Sequence, residues 1–113
     1  MNNTFKNYKE CPLQIFQSNK GPITEICAVR VEKGQLTIDY KTKVGERFLW
    51  RCTELTPGHY KCETENVNLE GYASLHRFID GNIFEGHLKV KGNVPVFDGM
   101  WRIVLGKPCR VSK

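Results

Sequence analysis

From Ile23 onward the chain alternates apolar and polar residues almost without interruption. Successive strand side chains point to opposite faces, so a sustained period of two predicts β-strands with one face turned toward a core. Residues 23–31, 35–42, 46–54, 59–65, 69–79, 82–91 and 97–105 each carry the pattern. No segment long enough for a stable helix shows a 3.6-residue period. Three strands open on the same motif, Leu69-Glu70-Gly71, Phe84-Glu85-Gly86 and Phe97-Asp98-Gly99. Parity turns each acid outward and each glycine inward.

The turns can be tested against this alternation, because a hairpin slipped by one residue would invert every side chain. Lys33-Gly34 as a two-residue loop sets Val31 opposite Leu36, Val29 opposite Ile38 and Cys27 opposite Tyr40. Lys43-Val44-Gly45 sets Tyr40 opposite Phe48 and Ile38 opposite Trp50. Thr56-Pro57-Gly58 as a three-residue loop sets Cys52 opposite Cys62 and, on the other face, Arg51 opposite Glu63 as an ion pair. Asp80-Gly81 sets Ala73 opposite Leu88 and His76 opposite Glu85. The last connection pairs Val90 with Phe97, Leu88 with Gly99 and Gly86 with Trp101. Only Asn66-Val67-Asn68 leaves its register open.

Seven strands joined by short loops form a meander, which either closes into an up-and-down barrel or folds into a two-sheet sandwich. Inward glycines on neighbouring strands favour a small barrel of seven or eight strands, with Gly86 making room for Trp101. Residues 1–22 break the pattern: Phe5, Tyr8, Leu13, Ile15 and Phe16 follow no clean period, and Pro12 interrupts them. They are expected to form a short helix or edge segment covering one end of the barrel. Residues 106–113 are expected to be a tail.

At 113 residues, with 40% apolar and 26% charged side chains, the chain has the size and balance of one globular domain. It has no apolar run long enough to cross a bilayer and no apolar leader in its first twenty or so residues. Five cysteines, an odd number, fit a reducing compartment better than a disulfide framework. These features predict a cytoplasmic protein with Cys52 and Cys62 as packed thiols. Cys11, Cys27 and Cys109 are scattered without CxxC spacing, so no metal and no cofactor are expected.

Candidate chemistry is sparse. The inward set from Cys27 to Leu105, with Leu69 and Phe97 among it, is rich in aromatic residues. Trp50, Trp101, Tyr40 and Tyr60 are candidates for a ligand pocket at a barrel mouth, with Arg77 as a polar anchor on the same parity. His76 and His87 fall on the outer face near Glu85 and Ser74, an arrangement that lacks a cleft and oxyanion donors, so a hydrolase-type enzyme using that face stands only third among the readings. Tyr72 among Lys89, Lys91, Arg47, Arg51 and Arg102 offers a surface for nucleic acid, set against a net charge of +5 that the acids Glu63, Glu70 and Glu85 dilute. Phe78 and Ile83 meet near the Asp80-Gly81 turn as a possible partner patch. The reading is a non-catalytic binding module for a small apolar or aromatic ligand or a protein partner, with nucleic acid as the alternative and no membrane association.

Asp80-Gly81-Asn82-Ile83-Phe84-Glu85-Gly86-His87-Leu88 resembles one unit of a membrane-occupation-and-recognition-nexus repeat, which runs Asp-Gly, then an aromatic, an acid and a glycine. The adjacent segments keep neither that repeat length nor its further glycines. The whole meander is similar in layout to the calycins, though Gly99-Met100-Trp101 lies in the last strand where lipocalins carry Gly-x-Trp early. That resemblance implies an architecture and no particular ligand.

Overall fold

The computed structural model describes residues 5–17, 21–42, 45, 47–65, 69–77, 81–92, 97–106 and 108–109. Nine strands occupy most of them: β1 (Phe5–Gln17), β2 (Ile23–Glu32), β3 (Gln35–Lys41), β4 (Arg47–Thr56), β5 (His59–Thr64), β6 (Leu69–Arg77), β7 (Ile83–Gly92), β8 (Phe97–Val104) and β9 (Pro108–Cys109). Consecutive strands from β1 to β8 pair antiparallel, and β1 also pairs with β8. Eight strands thus close into an up-and-down barrel with no free edge along the circuit. There are no helices among the described residues, and hence none long and apolar enough to cross a membrane.

Every hairpin register predicted from β2 to β5 is observed: Cys27 faces Tyr40, Ile38 faces Trp50 and Cys52 faces Cys62. In the second half Ala73 faces Leu88 and Gly86 faces Trp101. One turn is built differently. Thr56 pairs with His59, so the loop is Pro57-Gly58 alone, and the extra residue is taken up by a bulge at Leu55. Gly58 has φ 79° and donates its N–H to Glu54 Oε2 at 3.0 Å. The Arg51 ion pair also differs from expectation. Glu63 is its register partner, but Arg51 Nε lies 3.3 Å from Glu65 Oε2. Residues 43, 44, 66–68, 78 and 80, and the side chains of Leu69, Phe97 and Cys109, lie outside what is described.

The N-terminal segment, expected to cover one end, is instead the strand that closes the barrel. Leu13 pairs with Ile103 and Ile15 with Trp101 on one side, while Cys11 pairs with Cys27 on the other. A bulge between Tyr8 and Cys11 carries Glu10 at φ 57°. The extra residue flips parity, so Tyr8 before it and Cys11, Leu13 and Ile15 after it all face the core. Pro12 falls on the outer face, next to the irregularity between Tyr8 and Cys11. The two-residue β9, within the expected tail, pairs with Asn7 and Tyr8.

The interior is apolar: no polar or charged residue is buried among those described. Its two largest side chains, Trp50 and Trp101, are fully buried, and Trp50 packs against Gly71. A Cβ on Gly71 would come within 2.9 Å of the tip of the Trp50 ring and 2.8 Å of Thr64 Cγ2. A Cβ on Gly86 would collide with the Ser74 carbonyl oxygen, which turns inward to accept a hydrogen bond from Trp101 Nε1 at 3.0 Å. Gly86 faces Trp101 as predicted, but the room its missing Cβ leaves is taken by the Ser74 carbonyl and the Leu75 Cα, all backbone, rather than by the indole ring. Cys52 and Cys62 form a disulfide with Cα atoms 3.9 Å apart. That corrects the expectation of two thiols, which rested on compartment; the hairpin register brings the pair within bridging reach.

Candidate functional site

The strands run alternately up and down, so each aromatic candidate can be assigned to an end. Tyr40 lies near the end of β3 and Phe48 near the start of β4, and their rings stack at 5.3 Å. Tyr60 opens β5 and Phe84 opens β7, meeting edge to face at 5.9 Å at the opposite end. Arg77, at the end of β6, lies over the Phe84 ring at 5.3 Å and donates from Nε to the Gly81 carbonyl at 3.3 Å. Between the two groups Trp50 and Trp101 touch, ring centroids 5.2 Å apart. The five candidates thus form a central pair and two ends, and Tyr40 and Tyr60 do not share a mouth.

The polar atoms of these rings set the local electrostatics. Burial pushes the Tyr40 phenol up from 10.0 to about 12, against the opposing pull of the Trp50 indole N–H. That N–H makes no full hydrogen bond and has no acceptor in good geometry among the described residues. Cys27, register partner of Tyr40, is raised from 9.0 to about 12, first by burial, then by Cys11 and Asp39. Tyr60 is raised by burial and by Glu54, with Arg77 opposing. At the surface the Arg47 guanidinium holds Asp39 below its usual range through bonds of 3.0 and 2.6 Å.

The buried thiol and phenol give a pH prediction. Folded Cys27 and Tyr40 keep their protons toward pH 12, whereas the unfolded chain loses them near 9 and 10. The stability that these two groups contribute is therefore complete below about pH 9 and is lost as pH rises toward the folded values. Urea midpoints should drop between about pH 9 and about pH 11, and Tyr40→Phe should flatten part of the fall. An unchanged slope in that variant would mean that Tyr40 ionises as readily folded as unfolded.

On the outer face, Ser74 Oγ accepts the backbone N–H of His87 at 3.4 Å, and His76 stands across from Glu85. Glu85 pairs with Arg102 at 3.6 Å. One neighbour pair was not visible in the sequence. His59 faces His76 across β5 and β6, their rings 4.4 Å apart, in a pairing the sequence left open. Tyr72 is exposed, with Lys89 opposite it on one side and Glu63 on the other. Phe16 and Met100 face each other across β1 and β8 on the outside, 41% and 49% exposed. Ile26, 56% exposed, lies on the adjoining β2 opposite Pro12.

No protein-family model matches the chain, and no curated protein is significantly similar to it.

Proposed function

We propose that the protein is a non-catalytic binding module that docks a protein partner on the outer face of β2, β1 and β8. The observation that carries this reading is the Phe16 and Met100 pair, two large apolar side chains held in solvent on rigid strands at positions where parity calls for polar residues. Aromatic residues and Met are favoured at protein interfaces, and Ile26, further along the same outer face beside Pro12, is another exposed apolar side chain. The surrounding charges balance: Arg102 is paired with Glu85, and Lys89 stands opposite Asp98. Such a rim suits a protein surface of mixed charge rather than a polyanion, which sets nucleic acid behind it. A small ligand at the mouth holding Tyr40 is the second reading, favoured by the incompletely bonded Trp50 N–H beside that phenol. The contact between Trp50 and Trp101 counts against a ligand deep inside, the calycin use of such a barrel. A cytoplasmic setting belongs to the same proposal on the cysteine count, while the Cys52 to Cys62 bond pulls toward an oxidising one.

The test compares the immobilised wild-type barrel with Met100→Glu and with Leu55→Glu, a substitution at an exposed apolar residue elsewhere. A partner kept by wild type and Leu55→Glu but lost by Met100→Glu is the expected result. Equal retention by all three overturns the docking face. A melting temperature raised by apolar compounds and insensitive to Met100→Glu would move the function to the mouth. Oligonucleotide binding that weakens steeply with salt would move it to the Tyr72 surface.

A further inference from the structure

We infer that His59 and His76 form a two-imidazole chelate for a late first-row divalent cation, at a place independent of the proposed docking face. The two residues are directly opposed on β5 and β6. The Arg77 N–H donates to the Gly58 carbonyl at 2.8 Å, which makes Gly58 and Arg77 a hydrogen-bonded position of the ladder. His59 and His76, one step in, therefore occupy a non-hydrogen-bonded position, where facing side chains approach most closely. Their ring centroids lie 4.4 Å apart at an interplanar angle of 42°. Two imidazoles at that separation can each present one nitrogen to a common ion.

The setting suits such an ion in three ways. Both imidazoles are exposed, so water can complete the coordination shell. Both strands belong to a closed barrel, so the spacing between the two residues is fixed before any ion arrives and little ordering remains to be done on binding. Glu85, opposite His76 on β7 and paired with Arg102, places a carboxylate on the neighbouring strand. No group of three or more His, Cys, Asp or Glu among the described residues could hold a metal, so the site is a bidentate one with solvent ligands. Imidazole donors select the borderline ions, with Cu²⁺ ahead of Ni²⁺ and Zn²⁺, over Mg²⁺ and Ca²⁺, which require oxygen.

Isothermal titration of the untagged protein with NiCl₂, CuCl₂ and ZnCl₂ tests the inference, with MgCl₂ as the negative control. One equivalent of Ni²⁺ should bind, Cu²⁺ more tightly, and the melting temperature should rise with metal concentration. His59→Gln and His76→Gln should each weaken Ni²⁺ by about tenfold or more, since either leaves a single imidazole. His87→Gln, which removes the remaining histidine, should bind as wild type does. Metal-free melting curves of the variants separate loss of the ligand from loss of the fold. Affinity unchanged in His59→Gln or His76→Gln, loss confined to His87→Gln, or no Ni²⁺ binding by the wild type would each overturn the chelate.

Discussion

Trp101→Ala is expected to lower the unfolding free energy by about 4 kcal/mol or more, the largest effect of any single truncation in the barrel. The ring is fully buried at the centre of the interior, in contact with Trp50, so its removal leaves a cavity that closed strands cannot collapse to fill. The same change removes the N–H that satisfies the Ser74 carbonyl, an acceptor diverted from the β6 to β7 ladder. Leaving it unpaired adds about 1 to 3 kcal/mol. Against a total of about 5 to 15 kcal/mol for a domain of this kind, the variant should be largely unfolded or close to it. Trp101→Phe keeps most of the apolar volume while losing the donor, and should fall between wild type and Trp101→Ala. Urea unfolding followed by far-ultraviolet circular dichroism measures both. A cost under about 1.5 kcal/mol for Trp101→Ala would mean that the two tryptophans do not form the centre of the core.

Gly86→Ala should have the second largest effect, about 3 kcal/mol, although it adds only one methyl group. The added Cβ would collide with the Ser74 carbonyl oxygen and crowd the Leu75 Cα, both backbone atoms that cannot rotate aside. Gly71→Ala should cost less, because the atoms it meets, Thr64 Cγ2 and the tip of the Trp50 ring, are side-chain atoms at 2.8 and 2.9 Å and not backbone. Gly21→Ala, with nothing within 4 Å, is the matched control and should be near neutral. A double-mutant cycle adds a sharper expectation. Trp101→Ala releases the Ser74 carbonyl, so Gly86→Ala should cost less in that background. Strict additivity would show that the glycine and the indole do not act through a shared carbonyl.

Much of this architecture can be read from the chain, for a physical reason. Where a turn of two or three residues joins two alternating runs, register and parity constrain each other, which is why Val29, Ile38, Trp50 and Cys52 fall inward as expected. β1 escapes the same logic. Its bulge puts Tyr8 and Cys11 on one face although their positions differ in parity, and Pro12 imitates a break. The candidate pocket was legible as a set of buried aromatics but not as a place. Strand direction separates Tyr40 from Tyr60, and parity carries no information about which end a residue occupies. The facing of His59 and His76 depended on the one connection whose length did not fix a register. The Arg51 partner turned on a side-chain rotamer, which selects Glu65 over its ladder neighbour Glu63.

Closure by the first strand shapes how this molecule is made. During synthesis β1 can meet β2 at once, yet its other flank waits for β8, which emerges only after every hairpin between them. Until then the growing sheet has two open margins and an apolar concave side with nothing laid across it. The joining of Leu13 to Ile103 closes the barrel across most of the sequence, and it should set the pace at which newly made chains escape aggregation.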